Sequence, residues 1–359
     1  MMSKKQMVIV GVTTFALVLV GVFSYTSFVT TEYLSANAGA PERFIPLPAL
    51  NIADYNARLL ALAHVHVPIS ATSTATTTVP IATTTPRLWP VHTVYPRADA
   101  LLPFRRIVAY YGNFYSKQMG VLGEYPTDQI LTMLASTTAM WTAVDPTTPA
   151  IPAIQYIAVV AQGSAGKEGK YILRMPDTQI DLALSMAQKV HGLLILDVQV
   201  GMSTLAHELP FLEKYLMMPN VELAIDPEFS MKYGNPPGTV IGTFDASDVN
   251  YAAQYLAHLV DEYHLPPKVL IVHRFTQDMV TNYKNIHPLP EVEVVMDMDG
   301  WGSPAKKKGT YRRVIYPEPV QFTGIKLFYK ADLKPPSTRL LTTEEVMDLM
   351  PTPSYIQYQ

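Results

Sequence analysis

At 359 residues the chain has room for two or three average domains, or for one α/β barrel of about 250 residues with a substantial remainder. A composition of 48% hydrophobic and 16% charged residues with 30 prolines suits a globular body carrying an apolar segment and proline-rich connectors better than a disordered polymer. The net charge of −3 supplies no basic footprint for nucleic acid, and the lack of cysteine excludes disulfides, thiolate metal sites and cysteine nucleophiles.

In chain order, Lys4 and Lys5 precede Met7 to Val29, a stretch without a charged residue. Its length meets the roughly 20 apolar residues that a membrane span needs and exceeds the roughly 7 to 15 of a signal-peptide core. The expectation is a transmembrane signal anchor over 7–29, with residues 1–6 cytoplasmic, because basic flanks stay on that side. Ala36-Asn37-Ala38 has the small-x-small form of a cleavage site, which keeps a cleaved signal as the competing reading. Either way the body is expected outside the cytoplasm.

Residues 30–67 form the next segment. Within Asn51 to His66, Ile52, Tyr55, Leu59 and Leu62 recur at helical spacing with Asn51 or Asp54 as cap, so a short juxtamembrane helix is expected. His64 and His66 here look unrelated to any site. Pro68 to Pro86 is built of Thr, Ser, Ala and Pro without a charge, and 68–100 reads as an extended linker or stalk.

From 101 to 359 short β-branched and aromatic runs alternate with helical patterns. Eight runs are expected as strands: Arg106 to Gly112, Tyr156 to Gln162, Leu193 to Gln199, Leu223 to Phe229, Lys268 to Phe275, Val292 to Asp299, Ile325 to Lys330 and Ser354 to Gln359. Helices are expected from Asp177, acting as a cap, and after Asp245 or Ser247. This rhythm gives an α/β fold, a (β/α)8 TIM-type barrel; the doubly wound alternative lacks the glycine fingerprint after its first strand. Gly163 to Lys170 lacks the Gly-Lys-Ser/Thr ending of a phosphate loop and reads as a βα loop. Met296, Met298, Met347 and Met350 are assigned to packing.

Side chains two apart share a strand face, and several strands then begin apolar and end polar. The inward series are Ala109 and Tyr111; Ala158, Val160 and Gln162; Ile195, Asp197 and Gln199; Ala224, Asp226 and Glu228; Val269, Ile271 and His273; Val295, Asp297 and Asp299; and Ile325, Leu327 and Tyr329. A packed lower barrel with a polar C-terminal mouth has this pattern. Crowded carboxylates raise one another's pKa, which glycoside hydrolysis uses to keep one acid protonated. Glu228 is the expected general acid, with Asp226, Asp297 and Asp299 as the other catalytic candidates. Tyr111, Gln162, Asp197, Gln199, His273, Trp301 and Tyr329 are the expected substrate-binding residues, Trp301 as an indole in the Gly-flanked loop of Asp299 to Gly302.

Leu223 to Phe229 is similar to the fourth-strand D-x-D-x-E motif of chitinase-type glycoside hydrolases, Val294 to Gly302 resembles their sixth-strand segment, and Ile107 to Phe114 their first strand. The resemblance implies that Glu228 is the proton donor and that Asp226 supports it. Ala224 stands where the motif has its first Asp, and Met298 where a Tyr precedes the sixth-strand acid. Groups that would hold an N-acetyl substituent for substrate-assisted attack are thus absent, and Asp226 and Glu228 alone carry over.

The expected activity is hydrolysis of a cell-surface or environmental polysaccharide, with no metal and no cofactor. Two alternatives stay open. One is a metal-dependent hydrolase or deacetylase using these oxygen and imidazole donors, although no H-x-x-x-H or H-E-x-x-H pairing exists. The other is a non-catalytic barrel that binds cell-wall glycan, for which Ala305 to Arg313, five basic residues read as a loop, offers contacts to an anionic polymer.

Overall fold

A computed structural model describes residues 49–65 and 87–359. The expected anchor at 7–29, the cleavage-site motif, the charge-free stretch Pro68 to Pro86 and His66 lie outside the described residues. Among the described residues no helix is long and apolar enough to cross a membrane.

Eight parallel strands close into a barrel: β1 (Arg106–Gly112), β2 (Ala150–Ala161), β3 (Leu193–Val198), β4 (Val221–Ile225), β5 (Lys268–Arg274), β6 (Val292–Met298), β7 (Phe322–Leu327) and β8 (Tyr355–Tyr358). Each pairs with the next, and β8 pairs with β1 to complete the ring. All eight expected runs overlap one of these strands. A short strand, Ile172–Arg174, adds antiparallel to the end of β2.

The main crossover helices are α2 (Thr127–Val144), α3 (Asp177–Lys189) and α4 (Ala246–Tyr263). Asp245 caps α4 in a capping box with Asp248. Asp177 is the first helical residue of α3 and not its cap; Pro176 precedes it and presets the backbone for helix entry. The crossover from β5 to β6 holds only 3-10 turns and a two-residue strand, so the helical layer is incomplete there.

Before the barrel, α1 (Ile52–Leu62) starts at Asn51, whose side chain accepts the Asp54 N–H at 3.1 Å. Expected as a juxtamembrane helix, α1 packs Tyr55 and Leu59 into one cluster with Leu102, Ile107, Leu193 and Phe322, at the N-terminal ends of the strands. It plugs the bottom of the barrel. Glu293 reinforces the plug from inside, accepting the Leu101 and Leu102 N–H groups at 2.8 and 2.9 Å. Above the plug, Ala109, Ala153, Ile195, Ala224, Ile271 and Val295 fill the interior, while alternate residues such as Val108, Leu196, Ile225 and Val272 pack under the helices. Of the four methionines assigned to packing, Met350 is instead exposed.

Candidate active site

Strand parity places most, but not all, of the expected residues at the C-terminal mouth. On β2 Ala153 and Gln155 point inward and Ile157 reaches the cavity wall, while Ala158 and Val160 belong to the outer cluster under the helices. A register irregularity falls between Ile157 and Val159, where β2 also receives its antiparallel neighbour. Gln162 does not line the cavity at the mouth, whereas Ala161 does. On β7, Ile325 and Leu327 point outward, and Tyr329 stacks on Tyr358 outside the barrel, 5.2 Å between ring centroids. The inward series is Gly324, Lys326 and Phe328.

The deepest polar layer centres on His273. Its Nε2 lies 2.9 Å from Asp197 Oδ2, and its Nδ1 lies 3.1 Å from Asp297 Oδ2 and 3.7 Å from Asp299 Oδ2. Gln155 Nε2 donates to Asp197 Oδ2 at 2.7 Å, and the Tyr355 hydroxyl donates to Gln155 Oε1. Burial alone would push the imidazole down; the surrounding aspartates outweigh it and hold His273 well above its ordinary value. An imidazolium clamped by Asp197 and Asp297 results. Both aspartates are fully buried, so these two acids and His273 form the floor of the mouth and not its surface.

Above this floor opens a cavity of about 560 Å³. Asp226, Glu228 and Asp299 line it, with one carboxylate oxygen from each lying within 4.8 Å of the others. β4 ends at Ile225, and Asp226 caps a 3-10 turn, Pro227–Phe229, that carries Glu228. The two acids thus reach the same cavity through a turn and not along one extended strand. Asp226 Oδ1 accepts the Glu228 N–H at 3.0 Å, and Asp226 Oδ2 accepts from Gln199 Nε2 at 3.2 Å, while Gln199 Oε1 is held by the Ala161 N–H at 3.0 Å. Asp226 is fixed from both sides. Gly242 lies against this turn: a Cβ there would stand 2.7 Å from the Glu228 carbonyl oxygen.

Burial, followed by the charge of Asp299, pushes Glu228 up to about 7. Asp226 is raised well above its ordinary value, first by burial and then by its acidic neighbours, against the pull of His273. Asp299 is raised by burial, but both His273 and Lys326 favour its charged form. Three carboxylates this close cannot all be ionised together at neutral pH. Glu228 retains a proton near neutrality, and Asp299, facing two cations, is the best-supported anion.

The rim is aromatic and basic. Trp301 is 49% exposed, and Phe229, Phe275, Phe328 and Tyr111 line the walls. Lys326, Gln155 and Tyr355 were not singled out by strand reading. Each is a polar or hydroxylated side chain inside an apolar run, a signal that marks an inward position when both faces of a strand are buried. Asp226, Glu228 and Asp299 could hold a divalent cation by donor type, but His273 and Lys326 already present positive charge to them.

No family model matches the sequence, and no curated protein matches it. Among solved structures the chain is similar to a ruminal GH26 endo-beta-1,4-mannanase, at 10% identity and a TM-score of 0.32 over 71% of this chain and 59% of that one. It is also similar to GH26C from Muricauda sp. MAR_2010_75, at 10% identity and a TM-score of 0.29 over 70% of each chain. The chain therefore spans under two thirds of the length of the first. The closed ring of eight parallel strands, not either likeness, defines the fold.

Proposed function

We propose that the protein is a glycoside hydrolase that cleaves a cell-surface or environmental polysaccharide by carboxylate acid/base chemistry. The observation that carries this reading is the convergence of Asp226, Glu228 and Asp299 within 4.8 Å in a cavity with aromatic walls, where burial and crowding push Glu228 up to about 7 and raise Asp226 as well. Glu228 donates its proton to the glycosidic oxygen. Asp299 stabilises the positive charge that develops at the anomeric carbon, or attacks it. Asp226, held by Gln199 and by the Glu228 backbone, orients the Glu228 turn. His273 keeps positive charge beneath Asp299.

The short oxygen spacing is close to the roughly 5 Å of a double displacement and below the roughly 6.5 to 9.5 Å that leaves room for an attacking water. We read this upper limit as favouring a double displacement with retention of anomeric configuration. The charge-free stretch behind Lys4 and Lys5 and the Thr/Pro-rich segment support a membrane-anchored enzyme whose barrel acts outside the cytoplasm.

Purified protein incubated with peptidoglycan, chitooligosaccharides and other surface glycans tests the reading. Glycan release that is abolished by Glu228→Gln and indifferent to chelator supports it. Release that is lost on chelation points to a divalent ion on the same three acids, and binding without release contradicts hydrolysis.

A further inference from the structure

The basic side chains around the cavity are arranged asymmetrically. The segment Ala305 to Arg313, read from sequence as a loop, is helical over Pro304–Thr310 and continues as a π turn over Tyr311–Ile315. Four of its five cations divide into two groups. Lys307 pairs with Asp332 at 3.0 Å and Lys308 with Glu345 at 2.7 Å, both away from the cavity. Lys306 and Arg313 line the cavity, are exposed, and make no ion pair among the described residues. Arg313 makes a single side-chain contact, to Thr310 Oγ1 at 3.4 Å.

Lys326 of β7 is a third cation at this cavity. It is 4% exposed, lines the same cavity, and lies with Nζ 3.8 Å from the centre of the Tyr111 ring; no carboxylate within 4.0 Å pairs with it among the described residues. Burying an ammonium without an ion pair is costly unless something returns the lost solvation. Part of that return is the acidic trio, since Lys326 bears on Glu228 and Asp299. Further out, Lys306 and Lys334 lie 4.4 and 5.0 Å from the Trp301 ring and add charge to the rim. β6 and β7 are neighbours, so Trp301, the helix that follows it and Lys326 make up one cationic and aromatic wall facing the β4 acids.

Resting on the hydrolase reading above, we infer that the glycan taken by this cavity is anionic, with a carboxylate, sulfate or phosphate group on the sugar seated against Lys326, Lys306 and Arg313. A neutral sugar would leave the three cations without an ion pair among the described residues, with aromatic rings and the catalytic acids as their only compensation. An anionic group supplies ammonium and guanidinium partners while the ring stacks on the aromatic side chains. It also holds the chain by the wall opposite Glu228, leaving the glycosidic oxygen to the acid.

The test is binding of the full-length protein carrying Glu228→Gln, which separates recognition from turnover. The probes are a hexuronate oligosaccharide, a sulfated one and a sugar-phosphate polymer, each beside its carboxyl-reduced, desulfated or dephosphorylated counterpart at low ionic strength. At least one anionic probe should bind tenfold or more tightly than its neutral counterpart, and which one does identifies the charged group. Lys306→Ala with Arg313→Ala, two exposed positions, should remove most of that preference, as should Lys326→Met. Equal or tighter binding of the neutral counterparts, or no binding of any anionic probe, overturns the inference. Wild-type release from neutral glycans alone would overturn it and leave the hydrolase reading standing; anionic preference without release by the wild type would do the reverse.

Discussion

Glu228 is set apart from its neighbours by being mostly buried and close to Asp299 without a cation in direct contact. Its carboxyl sits at about 7 against an ordinary 4.5, so the folded protein binds one more proton than the unfolded chain between those two values. The contribution of this group to stability is present below that interval and is lost as pH rises through it. Glu228→Gln removes the titration. In denaturant melts the variant should gain on the wild type by on the order of 2 kcal/mol between pH 5 and pH 8, and a constant difference across that range would show that Glu228 is not shifted in the folded state. His273 is raised as well, but by its acidic neighbours against the effect of burial. Its charge is retained because Asp197 and Asp297 clamp both ring nitrogens, and that charge in turn favours the anionic form of Asp299.

Among the elements, β7 shows how the floor is assembled. Gly324 faces inward, and a Cβ there would stand 2.7 Å from both Asp297 Oδ1 and Tyr355 Cδ1. Gly324→Ala should therefore cost about 1 to 3 kcal/mol in a denaturant titration and slow catalysis through displacement of Asp297 and the imidazolium it holds; an unchanged midpoint would mean that the floor can give way. The same strand explains which parts of the site the sequence conceals. Ile325, Leu327 and Tyr329 mimic an inward series that runs from apolar to polar, because barrel strands are buried on both faces and periodicity of two then distinguishes little. The true inward series contains a lysine, a residue rarely found buried without a partner. β2 is obscured in the same way, because Ala158 and Val160 are buried under the helices together with Ile154 and Tyr156. β3, β4, β5 and β6 are legible because each carries an acid or histidine directly after an Ile, Ala or Val series on the inward face. Asp197, Asp226, His273, Asp297 and Asp299 follow from parity, although the division between floor and cavity surface depends on depth, which parity does not encode. Glu228 reaches the cavity through a turn that strand parity does not describe.

For the molecule as a whole, the barrel is closed at one end by α1 and open at the other. Tyr55 and Leu59 are buried among the lower strand ends, and the Leu62 carbonyl accepts the Thr352 N–H at 2.8 Å, joining the plug to the segment that leads into β8. A chain shortened to residues 87–359 should unfold at lower denaturant than one beginning at Pro48, because it exposes the floor cluster that α1 covers; equal midpoints would remove α1 from the folding unit. With the bottom sealed, ligand access is through the mouth, where the acidic centre and the cationic wall face each other. The central claim is that Glu228 delivers a proton to a glycosidic oxygen in that mouth. The rate of glycan hydrolysis against pH, measured for the wild type and Glu228→Gln side by side, tests it most directly. The wild-type rate should fall as pH rises through about 7, where the donor loses its proton, and the variant should be slower by at least 10²-fold with that fall absent. A variant as fast as the wild type, or a wild-type rate that climbs through pH 7, would contradict the account.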